Sequence, residues 1–138
     1  MTNPPARTRP PIPVNADTAP FWSGCARGEL LYQCCVACGR NQFPPRGHCA
    51  HCQADGLEWR ASARAGSVHT FTVVHRAPSA AFKAQVPYTI ALVDLDEGFR
   101  LMLNVLDSPP REVAIGSRVR VVFRPQDETM LPQAELAG

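Results

Sequence analysis

Two short cysteine pairs decide the fold of this chain: Cys35-Val36-Ala37-Cys38-Gly39 and Cys49-Ala50-His51-Cys52. The two-residue gap within each pair lets both sulfurs face one ion, while backbone N–H groups of the turn can point at the thiolates. Gly39 lets the first turn close without a clash from a Cβ atom. Because two such turns supply the four sulfurs of a closed tetrahedral site, the sequence predicts one structural zinc ion bound by Cys35, Cys38, Cys49 and Cys52.

Other assignments within the cysteine cluster stay open at this stage. Cys34 can take the place of Cys35, although a two-residue gap fits the metal-binding turn better than a three-residue gap. His51 can replace a cysteine of the second pair, and a redox dithiol pair or an iron site uses the same spacing. Cys25 and Cys34 are expected to be ordinary thiols. Four protein ligands leave no open position for a catalytic water, so hydrolytic zinc chemistry is not expected.

Length and composition restrict the class of protein. The 138 residues suffice for one small domain or two very small modules that share a core. No apolar run approaches the ~20 residues of a membrane span, and the proline-rich stretch Met1 to Asn15 lacks the apolar core of a signal peptide. Six cysteines without an export signal indicate a reducing compartment, where thiols bind metals rather than form disulfides. We therefore predict a cytoplasmic location and no membrane partner.

The sequence of the first 60 residues predicts two small structural units. Residues 1–29 form an extended arm and a short helix, capped by Asp17 or Thr18 and ending near Gly28. Residues 30–60 alternate short apolar stretches with the two cysteine pairs, which predicts a compact rubredoxin-like ribbon. A ribbon of roughly 30 residues cannot bury enough apolar surface to fold alone, so it needs its metal.

The rest of the chain predicts a β barrel over residues 61–129 and a tail over residues 130–138. Apolar and polar residues alternate from Tyr88 to Leu95 and again from Arg118 to Phe123. Asp96-Glu97-Gly98 between strands is a hairpin turn. Four or five short strands with glycine turns and no amphipathic helix indicate a small closed or partly open barrel. The predicted fold class is mainly β.

The charge pattern argues against nucleic acid as the main partner. The formal net charge is +2, and it falls to zero once four thiolates and a zinc ion are counted. Zinc ribbons and small barrels both occur in nucleic-acid-binding modules, which keeps that function as the alternative. His69 and His75 share a face of the first barrel strand, but no nucleophile or carboxylate stands beside them in the sequence. We therefore predict no catalytic residue.

The order of short motifs over roughly residues 17–125 is specific. In chain order the motifs are Phe21-Trp22, Gly28-Glu29-Leu30, Gln33 before the first cysteine pair, Phe43-Pro44-Pro45-Arg46, the second pair, Trp59, Ser62-Ala63-Arg64-Ala65-Gly66, Phe71-Thr72-Val73-Val74-His75, Pro87-Tyr88, Leu95-Asp96-Glu97-Gly98 and Ile115-Gly116. This order resembles the family of zinc-ribbon plus OB-fold proteins once called domain of unknown function 35. The sequence departs from that pattern at Ala63 and Ala65, where glycine is more usual, and at Cys34, where a basic residue is common.

The resemblance implies a helical N-terminal arm, a rubredoxin-like zinc ribbon and a C-terminal OB-fold barrel. It also implies a function, because members of the family look like accessory subunits of acyl-CoA enzymes. Their partners are thiolase-fold acyltransferases, thiolase-like aldolases or MaoC-type hydratases, and some members pass an acyl-CoA between two enzymes. The expected function is thus a non-catalytic accessory subunit in a hetero-oligomer that binds and stabilises such an enzyme and helps to hold the acyl-CoA.

Two segments are candidates for contacts with a ligand or partner. In an OB barrel, the loop between the first two strands borders the ligand face. Here that loop and its exit carry an apolar and cationic set that suits pantetheine and phosphate, namely Arg76, Phe82, Lys83 and Tyr88. An ordinary surface loop is the alternative. Phe21 and Trp22 form a large apolar pair that either packs on the chain's own core or contacts a partner.

Overall fold

The computed structural model describes residues 12–137 as one helix and two β-sheets. Much of the predicted N-terminal arm therefore lies outside the described residues. The elements in chain order are α1 (Ala19–Ala26), β1 (Leu31–Cys35), β2 (Asn41–Gln42), β3 (Leu57–Ala61), β4 (Ala65–Val74), β5 (Tyr88–Leu95), β6 (Arg100–Leu106), β7 (Arg118–Gln126) and β8 (Thr129–Leu136). Short 3₁₀ turns at Ala80–Gln85 and Pro110–Glu112 complete the fold.

Helix α1 begins at the predicted place, directly after Thr18. The Thr18 side chain does not cap the helix, because it is engaged with Asn15. The Asn15 N–H donates to the Thr18 hydroxyl at 3.0 Å, and the Thr18 N–H donates to the Asn15 side-chain oxygen at 3.0 Å. This reciprocal turn fixes the direction in which the chain enters the helix. The helix ends before Gly28, whose φ of +79° suits glycine at that position.

The ribbon is a three-stranded antiparallel sheet in the order β2-β1-β3. It packs on the barrel through an aromatic stack, because the rings of Tyr32 and Phe99 lie 4.7 Å apart and nearly parallel. The carboxylate of Glu97 accepts hydrogen bonds from the Ser62 hydroxyl and the Ala63 N–H, each at 2.7 Å. The Asn41 side chain donates to the Glu97 carbonyl. Ribbon and barrel therefore share one junction.

Five strands close into a barrel in the order β4-β5-β6-β8-β7. Alternate side chains of β5, among them Ala91, Val93 and Leu95, are buried inside it. The interior continues into the helix and ribbon through Phe21, Cys25 and other buried residues of one core. The mainly β architecture, with a short N-terminal helix, a ribbon and an OB-type barrel, confirms the predicted fold class.

The segment predicted to be a tail is the fifth barrel strand. Strand β8 pairs with β7 along its whole length and with β6 in parallel at Val105–Ala134 and Leu106–Glu135. The prediction failed because Pro132 interrupts the segment and proline cannot donate to a strand ladder. Pro132 is tolerated because of its register. The Ala137 N–H donates to the Arg118 carbonyl, so these two residues form a hydrogen-bonded pair. Pairs with and without hydrogen bonds alternate along antiparallel strands, and Pro132 therefore falls in a pair without hydrogen bonds.

Candidate functional site

The four predicted ligand sulfurs meet at one point of the ribbon. The Sγ atoms of Cys35, Cys38, Cys49 and Cys52 all lie within 4.8 Å of one another. Cys35 and Cys52 are 3.6 Å apart, as are Cys38 and Cys49. Sulfurs around a tetrahedral zinc ion with bonds near 2.3 Å are separated by about 3.8 Å. The donor set and its spacing therefore fit a four-coordinate zinc ion.

The alternative ligands lie elsewhere. Cys34 is 4% exposed and packs in the core, where its sulfur is 3.9 Å from the carbonyl oxygens of Cys35 and Gly39. The ring of His51 lies 3.3 Å from the Arg40 guanidinium. Neither belongs to the four-sulfur group found among the described residues. Cys25 is fully buried, and burial raises the pKa of its thiol to about 12.

Backbone N–H groups of the second metal-binding turn stabilise the thiolate form of Cys49. The N–H groups of His51 and Cys52 donate to the Cys49 sulfur at 3.3 and 3.4 Å. Together with the neighbouring thiols, they lower the pKa of Cys49 from its ordinary value, with the N–H of Cys52 contributing most. Thiolates are the form that binds metal, so the turn geometry supports metal binding directly.

Two buried glutamines hold the loop between the cysteine pairs. The Gln42 side chain donates to the Gln33 side-chain oxygen at 2.8 Å and accepts from the Ala50 N–H at 2.7 Å. Gln33 binds both backbone groups of Arg46, at 2.9 Å each. These bonds position the second cysteine pair against the first. Sequence reasoning assigned no role to Gln42, because its partners come from a loop whose path the sequence does not show.

A second feature is an apolar groove where β6 and β8 diverge. The two strands pair at only two positions near their C-terminal ends, so they separate towards their N-terminal ends. The resulting cavity has a volume of about 370 Å³. We call it the β6–β8 groove, and it is lined by Phe21, Trp22, Phe43, Phe82, Leu101, Met102, Leu103, Asn104, Gln126, Leu131, Pro132 and Gln133.

The groove brings together residues that the sequence analysis treated separately. Phe21 is only 4% exposed and packs edge-to-face on Trp22 and Phe43, so most of its ring belongs to the core. Trp22 is half-buried and faces the groove, as does Phe82. Leu131, from the segment predicted to be a tail, lines the same groove. Partner contact by Trp22 stays a prediction, whereas the burial of Phe21 favours core packing.

The residues of the predicted ligand-binding loop do not line one common cavity in the structure. The rings of Phe82 and Tyr88 lie 6.2 Å apart, but Tyr88 lines a neighbouring polar cavity of about 340 Å³. Arg76 and Lys83 are exposed and do not line the β6–β8 groove, whose described lining carries no charged side chain. A cationic rim around this groove is therefore not formed, and binding of an acyl-CoA by the loop stays a prediction.

The histidines of the barrel and the carboxylate of Asp94 lie on its surface. His69 lies 3.4 Å from Asp94, and Asp94 also accepts from Arg100 at 2.6 Å. The hydrogen bond from Arg100 lowers the pKa of Asp94. These groups are about half exposed, and His75 is exposed as well. Both histidines therefore lie on the exposed surface of the barrel, and the absence of a catalytic role for them stays a prediction.

The ribbon with its four sulfurs and the five-stranded barrel together make this chain a zinc-ribbon plus OB-fold protein. Residues 22–58 match the family model described as "ChsH2, rubredoxin-like zinc ribbon domain". Residues 59–124 match "ChsH2, C-terminal OB-fold domain". The chain is also 36% identical over 99 residues to a "DUF35 domain-containing scaffold protein" of Methanothermobacter thermautotrophicus, covering 71% of this chain and 74% of that protein. The chain belongs to the DUF35 family, which confirms the resemblance.

Two further similarities concern enzyme complexes. A solved structure described as "Ltp2-ChsH2(DUF35) aldolase" superposes with a TM-score of 0.83 at 33% identity, covering 94% of this chain and 100% of the matched chain. A "Probable enoyl-CoA hydratase alpha subunit" of Thermomonospora curvata is 34% identical over 115 residues, which is 83% of this chain. This chain spans only 35% of the length of that relative.

The family match and the sulfur geometry agree on the metal. The ribbon model is that of a zinc ribbon, and the four sulfurs have the separation that zinc requires. The chain therefore carries one structural zinc ion. No helix among residues 12–137 is both long enough and apolar enough to cross a membrane.

Proposed function

We propose that this chain is a non-catalytic accessory subunit that binds and stabilises an acyl-CoA-processing enzyme. The observation that carries the proposal is the similarity over the whole of the matched chain in the Ltp2-ChsH2(DUF35) aldolase structure. The scaffold-protein relatives and the hydratase alpha subunit support the same role. The partner we infer is a thiolase-fold acyltransferase or aldolase, or else a MaoC-type hydratase.

The chemistry of the chain supports a binding role. A zinc ion held by four thiolates has no open position for substrate or water, so the metal serves the fold rather than a reaction. The surface offers a large apolar side chain at Met102, which is 68% exposed. Exposed methionine and aromatic residues are typical of protein interfaces. We also assign the loop from Arg76 to Pro87 and the adjacent Tyr88 to the acyl-CoA side of the complex, where the exposed Arg76 and Lys83 suit the phosphates.

Co-expression with the thiolase-fold and MaoC-type acyl-CoA enzymes of the same organism, followed by size-exclusion chromatography, tests the proposal. We expect the two proteins to elute as one zinc-containing complex at micromolar concentration, and the chain alone to turn over no acyl-CoA ester. Trp22→Ala is expected to weaken the complex about tenfold, because tryptophan anchors dominate many interfaces. Ile115→Ala is the matched control, since Ile115 is exposed but lies outside the groove.

Separate elution of the two proteins, together with full activity of the enzyme alone, would contradict the accessory role. Turnover of acyl-CoA esters by the pure chain would contradict the proposal that the subunit is non-catalytic. A shift of the chain only with single-stranded DNA or RNA would instead support the nucleic-acid alternative.

A further inference from the structure

The edge of β6 that faces the groove has main-chain groups without a strand partner. The Leu95 N–H donates to the Phe99 carbonyl at 2.8 Å, which fixes where hydrogen-bonded pairs fall between β5 and β6. Alternation from that pair places Met102 and Asn104 opposite β5 in pairs without hydrogen bonds. Their N–H and C=O groups therefore point away from β5. The hydrogen bond of the Asn104 N–H agrees with this direction, since it is donated to the Gln133 side chain at 3.1 Å.

The opposite wall of the groove does not offer the same pattern. Strand β8 reaches β6 only at Val105 and Leu106, so among residues 12–137 no strand pairs with Met102 on its groove side. Pro132 of β8 faces the groove from the other side and has no N–H to donate. Gln133 satisfies the Asn104 N–H with its side chain, whereas Met102 lies outside the two pairs through which β6 and β8 are joined. Met102 of β6 thus directs both a donor and an acceptor into the groove, whereas Pro132 of β8 directs only its carbonyl there.

The side chains of the groove select against charge. Every lining residue is uncharged, and most are aromatic or aliphatic. Met102 is 68% exposed and also borders an apolar patch on the outside of the barrel, which includes Phe71, Ile90 and Leu92. A charged ligand would lose its hydration here without meeting a counter-charge. An acyl chain would fill the apolar walls but leave the N–H and C=O of Met102 unpaired.

We propose that the β6–β8 groove binds an extended, uncharged peptide segment of the partner enzyme, which adds to β6 as a short strand. Main-chain hydrogen bonds to Met102 provide the register, and the apolar walls receive alternate side chains. This inference rests on the proposed function and deepens it, because it names the surface and the kind of segment through which the enzyme is held.

Two substitutions at one position separate strand addition from plain apolar contact. Met102→Ala removes the side chain and keeps the N–H, whereas Met102→Pro removes the N–H as well. Because the Met102 N–H is not used by β5, the proline variant keeps the β5–β6 ladder, as Pro132 keeps the β7–β8 ladder. We expect binding of the co-expressed enzyme to weaken about tenfold more in the proline variant than in the alanine variant. Zinc content and melting temperature of each free variant check its fold.

Amide hydrogen exchange of the wild-type chain gives a readout that does not depend on any variant. By the same alternation, the Arg100 N–H also points away from β5. In the complex, the amides of Arg100 and Met102 are expected to exchange at least about tenfold more slowly than in the free chain. If the complex forms but these amides exchange at free-chain rates, or if both Met102 variants bind equally, strand addition is wrong and the accessory role stands. If the wild-type chain binds no acyl-CoA enzyme, both the strand addition and the accessory role are wrong. If these amides of the free chain exchange more slowly as the concentration of the chain is raised, the groove binds a second copy of the chain and the proposal is wrong.

Discussion

Neighbouring residues of one strand have different chemical roles in this ribbon. Cys34 and Cys35 are adjacent in β1, yet side chains alternate across a strand and so point to opposite faces. Cys35 faces the other three metal-binding sulfurs, whereas Cys34 packs in the hydrophobic core. The choice between them, which spacing left open, follows from the direction in which each side chain leaves the strand.

Substitution of the two cysteines by serine is expected to have opposite effects on the metal. Cys35→Ser should release zinc and unfold the ribbon, because structural zinc contributes on the order of 10 kcal/mol of binding linked to folding. Cys34→Ser should keep a full zinc ion per chain and lose at most about 1–3 kcal/mol, the cost of burying a hydroxyl. Elemental analysis of both purified variants is the measurement. Retention of zinc by the Cys35 variant would show that another residue is the ligand.

The residues at the site differ in how far the sequence could predict them. The four cysteines are predictable because a metal-binding turn is a local structure set by spacing. The roles of Gln33, Gln42 and Glu97 are not predictable, because each side chain bonds to a partner on another element. The partners of Glu97 are 34–56 residues away along the chain. Only the folded ribbon brings a carboxylate of the barrel hairpin to Ser62. The hairpin turn was predicted, but its role as a junction was not.

Among the elements, the predictable strands are those with one buried and one exposed face. Strand β5 shows this alternation in its burial and was predicted with the correct bounds. Strand β8 has a single fully buried residue, Ala134, and is half-buried over most of its length. Its sequence therefore lacks the period-two signal, and Pro132 hides it further. The groove could not be predicted either, because it depends on where β6 and β8 stop pairing.

Gly66 stands at the start of β4, where a neighbouring strand approaches its backbone closely. Gly66 pairs with Leu95 on one side and with Val119 on the other. A Cβ atom on Gly66 would lie 2.5 Å from the Asp94 carbonyl oxygen. We expect Gly66→Ala to destabilise the fold by about 1–3 kcal/mol, because the clash is with backbone and cannot be relieved by a rotamer change.

Gly56→Ala is the matched control for that substitution. A Cβ atom there would meet its nearest neighbour at 3.8 Å, an ordinary contact, and Gly56 is exposed in the ribbon. Urea denaturation of both variants, monitored by circular dichroism, gives the two free energies of unfolding. Equal values would show that the strands can separate at Gly66 without cost.

On the scale of the whole molecule, ribbon and barrel are expected to unfold together. The Tyr32–Phe99 stack and the hydrogen bonds of Glu97 join them. Glu97→Ala should lower stability by about 1 kcal/mol, because the Ser62 hydroxyl and Ala63 N–H lose their acceptor. It should also let zinc release precede barrel unfolding. Zinc release to a colorimetric chelator and circular dichroism, followed through one urea titration, measure the two events.

The exposed Glu112 provides the control for that experiment, since it lies outside the junction. Glu112→Ala should leave the two transitions superimposed, as in the wild-type chain. If zinc release already precedes barrel unfolding in the wild type, the junction does not couple the two parts.

The divergence of β6 and β8 also bears on self-assembly. An open sheet edge is a template for endless polymerisation, because each added strand presents a fresh edge to the next. Here the unpaired edge of β6 lies inside a slot whose far wall is β8, with Pro132 turned towards it. A strand that enters the slot is enclosed on both sides and exposes no fresh edge. The divergence of β6 and β8 thus leaves main-chain groups of β6 available without presenting an open sheet edge for polymerisation.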